Sequence, residues 1–458
     1  MTRVSSMISS NIDGPQAWAM VVAVFWNNAH HWGILSSYGV FLAYFTSHST
    51  FSGARTLDYA FIGGLSASQA LVISPLVTIL HHRFGIKITL ALGVFLETAA
   101  LLGASWSTEI WQLYLSQGVC FGWGLGMQYL STTYLIPQWF EKHRSLAAGI
   151  CTAGTGTGGI IYSLATHAML ARFGIPWSYR ILAIVQLVVN AICVLVIRDR
   201  RPQGARGSQM PKINFRLYLR YEMWLFIEWS FFSVMGFMVI WFSLATYGRS
   251  VGLTSTQGSI VTAVMNIGQM FGRPTVGLLS DRIGRINMAA FATCISGLLC
   301  LLLWVFARTY ASLTIFALLA GIFFGTFWTV VGPLGAEVVG LDDLQSCLTI
   351  MWLTCAIPAT FGEAIGLVLR TSGFHEYLGT QLFTGFMYIG AFLFLVLLRS
   401  WKIKRQEIDS LTNTSVSSRD IGTEGVVSVV DLPGKFHGNA RYLISWGKVC
   451  KISVHIVL

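Results

Sequence analysis

Charged side chains are scarce in this chain. They make up 11% of its 458 residues, against 54% hydrophobic residues, and a water-soluble globule of this size carries about twice that share of charge. The shortage argues against a soluble protein and favours a polytopic membrane protein, because each spanning helix needs roughly 20 apolar residues without a charged centre. The lipid bilayer is therefore the first expected partner.

Signatures of catalysis and cofactor binding are also missing. None of the eight cysteines has a paired CxxC spacing, and neither a Walker loop nor a nucleophile elbow is present. The pattern Gly154-x-Gly156-x-x-Gly159 matches a dinucleotide fingerprint, but it lies within an apolar helix with no strand before it, which favours a helix-packing face. We therefore expect no enzyme, cofactor or metal.

Basic residues give the chain a net charge of +11. They gather in short loops between apolar runs, which is typical of membrane orientation and not of nucleic-acid binding. The richest basic stretch, residues 198–220, predicts a linker between two halves that lies inside the cell. The loop charges place both termini in the cytoplasm.

The apolar runs predict an all-α polytopic membrane protein with twelve transmembrane helices in two six-helix halves. We expect a leader over residues 1–16, bundles over 17–197 and 221–401, and a cytoplasmic tail over 402–458. The predicted helices cover residues 18–45, 57–80, 88–106, 111–137, 146–170, a sixth ending near 197, 223–247, 257–280, 288–306, 313–332, 347–369 and 382–401.

A charged turn between predicted helices 8 and 9 carries a motif with defined spacing. It resembles the loop motif of the major facilitator superfamily, and its residues are Gly277, Asp281, Arg282, Gly284 and Arg285. The resemblance implies the major facilitator fold, close helix approach at the glycine and a charge cluster that holds one gating conformation. In the first half, His82 replaces the acid. The simpler interpretation is a positive-inside loop with a turn glycine.

A second set of residues resembles the signatures of the monocarboxylate porter family, in the form of its fungal branch. The set consists of Asp13, Gly14, Trp18, Trp139, Phe140, Arg144, Gly149, Gly154 and Gly158. The resemblance implies that Arg273 receives a substrate carboxylate. Ser36 and Gln269 replace that family's coupling lysine and acid, so the proton relay is incomplete. A structural ion pair between Arg273 and Glu228 is the alternative.

Further site candidates come from helix faces. Asn27, His31 and Tyr38 share a polar face of helix 1, and the superfamily resemblance adds residues on the helices that line its cavity. These additions are Gln128, Trp241, Trp328, Trp123 and Phe327, with Gln269 and Glu228 beside Arg273. His31 is a candidate proton carrier or a hydrogen-bonded neutral histidine; Glu97 is expected to be structural.

The sequence thus predicts a secondary transporter that works by alternating access. Resemblance to the fungal branch implies export of an organic acid or other secondary metabolite across the plasma membrane, with a vacuolar or other internal membrane as the alternative. Proton-coupled uptake of a small monocarboxylate is the second hypothesis, and a non-transporting nutrient sensor the third. The expected partners are a small organic anion or metabolite and, in the second hypothesis, protons.

Overall fold

The computed structural model describes residues 12–48, 51, 53–54, 56–199, 214–371 and 376–420. Most of the predicted leader (residues 1–11), linker (200–213) and tail (421–458) lie outside the described residues. Within them the chain is helical, and its helices group into twelve rods, α1 to α12, in the order that the sequence predicts.

The first half contains six rods. They are α1, Pro15–His48; α2, Thr56–Val72 and Ser74–Phe84; α3, Ile86–Ser105; α4, Ile110–Leu113, the π-helical Tyr114–Cys120 and Phe121–Trp139; and α5 with α6, the helical run Arg144–Val196. This run is broken at Gly174, whose φ of 71° is open to glycine. The chain reverses direction there. Gly158 on α5 packs against Ala29 of α1, and Arg198, after α6, contacts Met20, which lies closer to the start of α1.

The second half repeats this arrangement after a short 3₁₀ helix at Phe215–Leu219. Its rods are α7, Tyr221–Ser250; α8, Ser255–Ile283; α9, Arg285–Leu298 with the π-helical Leu299–Trp304; α10, Tyr310–Phe324 and Thr326–Val339; α11, Leu344–Val368; and α12, Leu378–Asp420. Helix α12 extends well beyond the predicted end at residue 401, since the following Lys, Arg, Gln and Glu residues are good helix formers.

The lengths of the apolar helices agree with a membrane location. Among the described helices, seven are long and apolar enough to cross a bilayer, or eight if the two pieces of α2, bent by 45°, count as one span. Large apolar side chains such as Phe95, Leu164 and Phe306 lie exposed on the outside of the bundle. In a bilayer, lipid covers such a surface.

One end of the bundle holds the turn between α4 and α5 (residues 140–143) and Gly284, the turn between α8 and α9. We call it the Asp281 end. The two halves meet there and at the bundle centre, chiefly through α5 and α8.

Candidate functional site

A small cavity lies between the two halves at the centre of the bundle. It is lined by Trp32, Tyr129, Thr152, Thr155, Trp241, Arg273 and Trp328. Its volume is about 10 Å³, which is room for about one water molecule. The structure therefore shows this site closed around a narrow space.

Arg273 is the charged group of this cavity, and it is 3% exposed. Its Nη1 donates to the backbone oxygen of Thr152 at 2.7 Å, and its Nη2 donates to Gln269 Oε1 at 2.5 Å. In the described part of the chain, Nε has no hydrogen-bond partner. A buried cation held only by neutral groups is costly, so the site favours an anion.

The alternative ion pair between Arg273 and Glu228 is not formed. None of the salt bridges between described residues includes either side chain. Arg273 instead donates to Thr152 of α5 and to Gln269, whereas Glu228 lies partly buried on α7. The arginine thus keeps its charge uncompensated by the predicted acid.

Aromatic rings form the walls of the cavity around Trp328. Its ring centroid lies 5.5 Å from that of Trp32, 5.9 Å from that of Tyr129 and 5.9 Å from that of Trp352, on which it stacks. Trp241 reaches the same cluster through Trp32, at 6.2 Å. Trp328 Nε1 is buried without a partner among the described residues. The walls therefore present apolar faces and an N–H donor near the arginine.

A second cavity of about 20 Å³ adjoins the first towards the Asp281 end. Its lining includes Asn28, Ile136, Ala148 and Pro333 together with Tyr129, Thr152, Thr329 and Trp328. Tyr129, Thr152 and Trp328 line both cavities, so these three side chains form the partition between them. Their separation would join the cavities into a path.

Asn27, His31 and Gln128 lie beside the central cavity and not on its wall. Asn27 Nδ2 donates to Gln128 Oε1 at 2.7 Å. His31 is fully buried with its ring 6.3 Å from that of Tyr129, and neither ring nitrogen has a partner among the described residues. Within the described residues, His31 therefore lacks the hydrogen bond that the alternative interpretation expects.

Three predicted residues lie away from the cavity. The Tyr38 hydroxyl donates to the backbone oxygen of Tyr59 at 2.9 Å. Phe327 packs between Trp229 and Trp352. Trp123 is 40% exposed on the outside of the bundle. It lies five positions before Gln128, which places the two side chains about 140° apart around α4.

The Asp281 carboxylate joins the two halves at the N-terminus of α5. Its two oxygens accept from the backbone N–H groups of Ser145 at 3.0 Å and Leu146 at 2.8 Å. One turn earlier on α8, a Cβ on Gly277 would lie 2.3 Å from the Ser145 oxygen. Unpaired N–H groups at a helix start attract anions, so Asp281 holds this end closed.

The remaining motif residues are Arg285, Arg282 and Gly284. Arg285 lies 3.6 Å from Asp281 and 3.5 Å from Glu337, and donates to the Glu141 backbone oxygen at 3.3 Å. Lys402 forms a further ion pair with Glu337. Arg282 is exposed, and Gly284 has a φ of 103°, which requires glycine.

Asp13 reaches the α4–α5 turn beside Asp281, but from the first half. Its carboxylate accepts from the backbone N–H groups of residues 141, 142 and 143 at 3.2 to 3.4 Å, and its own N–H donates to the Trp139 oxygen at 3.1 Å. Trp18 packs edge-on against Phe140 at 5.2 Å. The start of α1 is thereby fixed to the turn before α5.

The signature residues of α5 contact both neighbouring helices. Arg144 Nε donates to the Phe140 oxygen at 2.5 Å. A Cβ would lie 2.1 Å from the Phe25 oxygen at Gly154 and 1.9 Å from the Ala29 oxygen at Gly158. At Gly149 it would lie 2.4 Å from the Arg273 oxygen. These glycines therefore pack α5 against α1 on one side and α8 on the other.

Sequence reasoning missed Trp32, Tyr129, Thr152 and Thr155 as cavity residues. Thr152 and Thr155 are hydroxyl residues within the glycine run of α5, and that run marked the helix as an interface. Tyr129 directly follows Gln128 on a helix expected to line the cavity. The available signal was a small polar or aromatic residue beside a packing face.

One known family profile matches the chain twice. The profile of the Major Facilitator Superfamily matches residues 17–230 and again residues 228–451. The two matches correspond to the two halves of the bundle, which supports an internal repeat.

Curated relatives are similar over most of the chain. The Saccharomyces cerevisiae protein named "Probable transporter MCH2" is 34% identical over 402 residues, which cover 86% of this chain and 85% of that protein. The Fujikurins efflux protein of Gibberella fujikuroi is 27% identical over 388 residues, covering 82% and 80%.

Solved structures show the same fold at low identity. The Escherichia coli fucose:proton symporter FucP superposes with a TM-score of 0.65 at 16% identity, covering 82% of this chain and 98% of that one. The proton:xylose symporter XylE gives a TM-score of 0.67 at 11% identity, covering 84% and 95%.

Proposed function

Because this chain belongs to the major facilitator superfamily, we propose that it exports organic acids with an apolar, aromatic-sized body by alternating access. The superfamily makes it an integral membrane transporter of small molecules and not an enzyme. The substrate class and the direction are the proposal.

One observation carries the substrate class: Arg273 is buried at the centre with no acidic partner among the described residues. A carboxylate entering the cavity would neutralise that charge and accept from Nε. Trp328 Nε1 offers another donor, and the rings of Trp32 and Trp241 would cover an apolar body. The site thus suits an anion attached to a ring.

Export is supported by the relatives. Among the similar proteins are the Agnestins and Fujikurins efflux proteins, whose names describe removal of a compound from the cell. The signature residues Asp13 and Arg144 further support placement in the fungal monocarboxylate-porter-like branch. We propose that the Asp281 end and both termini face the cytoplasm and that the chain lies in the plasma membrane.

The proposal is tested with purified protein in liposomes loaded with benzoate, the uncharged isostere benzamide, or lactate. We expect benzoate efflux, slower lactate efflux and no benzamide efflux above protein-free liposomes. Arg273→Ala should reduce benzoate efflux at least about a hundredfold, because losing one partner of a buried ion pair costs about 3–5 kcal/mol. The matched control is Arg282→Ala, at an exposed arginine on the same helix.

Two results would reject this function. Equal efflux of benzamide and benzoate would show that charge is not recognised. Unchanged benzoate efflux in Arg273→Ala would show that the central arginine does not bind the anion. If lactate moves and benzoate does not, the small-monocarboxylate hypothesis replaces the aromatic one.

A further inference from the structure

A second buried acid lies outside the central cavity, in the first half. Glu97 on α3 is 0% exposed, and eleven residues of helix rise place it about 16 Å from the start of α3, near the middle of a bilayer about 30 Å thick. In the described part of the chain, no lysine, arginine or histidine forms a salt bridge with it.

Amide side chains from three other helices connect to this carboxyl group. Gln128 Nε2 of α4 and Gln186 Nε2 of α6 donate to Glu97 Oε2 at 2.5 and 2.7 Å. Asn27 of α1 donates to Gln128 Oε1 at 2.7 Å, and Thr98 donates to Gln186 Oε1 at 2.9 Å. A chain of hydrogen bonds therefore runs from Glu97 through Gln128 to Asn27.

Two glycines make this chain possible. A Cβ on Gly93 would lie 2.8 Å from Gln128 Cγ, and a Cβ on Gly124 would lie 2.7 Å from Glu97 Cγ. Any larger residue at either position would force α3 and α4 apart. The close approach brings the carboxyl and amide groups side by side.

Both ends of the chain have an unused acceptor. Glu97 Oε1 and Asn27 Oδ1 are buried and have no partner among the described residues. A charged carboxylate enclosed in this way, without a cation, is costly. A neutral carboxyl group with an O–H donor removes that cost.

We propose that Glu97 is a proton-binding site whose occupancy sets the direction of the Glu97–Gln128–Asn27 hydrogen bonds. A proton from water binds the carboxylate and gives a neutral carboxyl group, with no other bond made or broken. Its O–H then donates to Gln128 Oε1 after the amide of Gln128 turns over. The turned Nε2 donates to Asn27 Oδ1, which turns in the same way. The reverse rotation accompanies proton release.

The network lies next to the transport path. Gln128 precedes Tyr129, which lines both cavities, and Asn27 precedes Asn28, which lines the second. Occupancy of Glu97 would therefore bias α1 and α4 where the path opens. This coupling role rests on the proposed transport function; the proton site itself does not. Among the described residues, the titratable groups around the network include Tyr162 on α5, His30 and His31 on α1, Cys120 and Tyr129 on α4 and Cys193 on α6.

The proton site is tested without any substrate. Infrared difference spectra of the full-length protein in lipid nanodiscs are recorded as pH rises from about 5 to about 10, a range that spans ordinary and deeply buried glutamates. We expect one protonated, water-excluded carboxyl band that disappears with rising pH, is lost in Glu97→Gln and is unchanged in Glu407→Gln, at an exposed acid of α12. If Glu97→Gln does not fold, Glu97→Asp should shift the band frequency.

The proposal is overturned if the wild type has no titrating band, or if the band persists in Glu97→Gln or keeps its frequency in Glu97→Asp. The coupling role is tested with benzoate in liposomes. Glu97→Gln should lose pH-gradient-driven accumulation at least about tenfold but keep benzoate exchange at equal pH. Retained accumulation overturns the coupling role. If wild-type protein does not move benzoate, the proposed function fails, and the infrared result alone decides the proton site.

Discussion

Replacing Asp281 by asparagine should open the Asp281 end. The carboxylate is 5% exposed and accepts two backbone N–H groups of the other half. A hydrogen bond to a charged acceptor is roughly twice as strong as a neutral one, which contributes about 1 kcal/mol. The amide oxygen of asparagine could still accept both N–H groups but carries no charge, so about 1 kcal/mol is lost at each hydrogen bond and about 2 kcal/mol of closure is lost in total. At 1.4 kcal/mol per factor of ten, the open fraction should rise about thirtyfold.

Cysteine labelling measures that fraction. In a protein whose eight native cysteines are replaced, Thr329→Cys places a thiol at a fully buried position on the second cavity. Its reaction rate with a small maleimide should follow the open fraction. We expect about thirtyfold faster labelling with Asp281→Asn and an unchanged rate with Arg282→Gln, at the exposed neighbour.

Asp13→Asn separates gating from local stability. Asp13 caps the same turn from within the first half, so its loss should lower the melting temperature without changing the labelling rate. Equal labelling rates for Asp281→Asn and wild type would refute the assignment of Asp281 as the closing contact. Equal acceleration by both variants would show that the α5 turn, and not the contact between halves, controls access.

Three further predictions address packing, the histidine and the donor set. Gly158→Ala should lower the melting temperature in detergent, because its Cβ would overlap the Ala29 oxygen and overpacking costs about 1–3 kcal/mol. Gly39→Ala, at a position with open space around it, should leave the melting temperature unchanged. Equal effects of the two variants would contradict the packing argument. His31→Phe should keep pH-gradient-driven benzoate accumulation, since the ring makes no described hydrogen bond; its loss would identify the histidine as the proton carrier. Trp328→Phe should weaken benzoate binding about tenfold, as a donor to a charged group contributes about 1.5 kcal/mol; unchanged affinity would exclude Nε1 from the site.

The fold was predictable because apolar length and loop charge act locally. Arg273 and the Asp281 motif were predicted through family resemblances that rest on short motifs, and a charge within an apolar helix also pointed to Arg273. Side-chain direction was harder to predict. The sequence did not distinguish Trp123 from Trp328, yet Trp123 faces outward and Trp328 lines the cavity. That difference depends on helix rotation, which tertiary packing decides. The Glu97 network joins four helices, so no spacing within one helix could reveal it.

The contact line between α5 and α8 has a kinetic consequence. Gly149, Gly156 and Gly277 bring backbone against backbone there, so few side chains interlock across the line. Rolling one half over the other would need little rotamer change. The height of the barrier between conformations is then set by the polar contacts at the Asp281 end and by the partition formed by Tyr129, Thr152 and Trp328. Substitutions at those two places can change the turnover rate while the contact line between α5 and α8 stays the same.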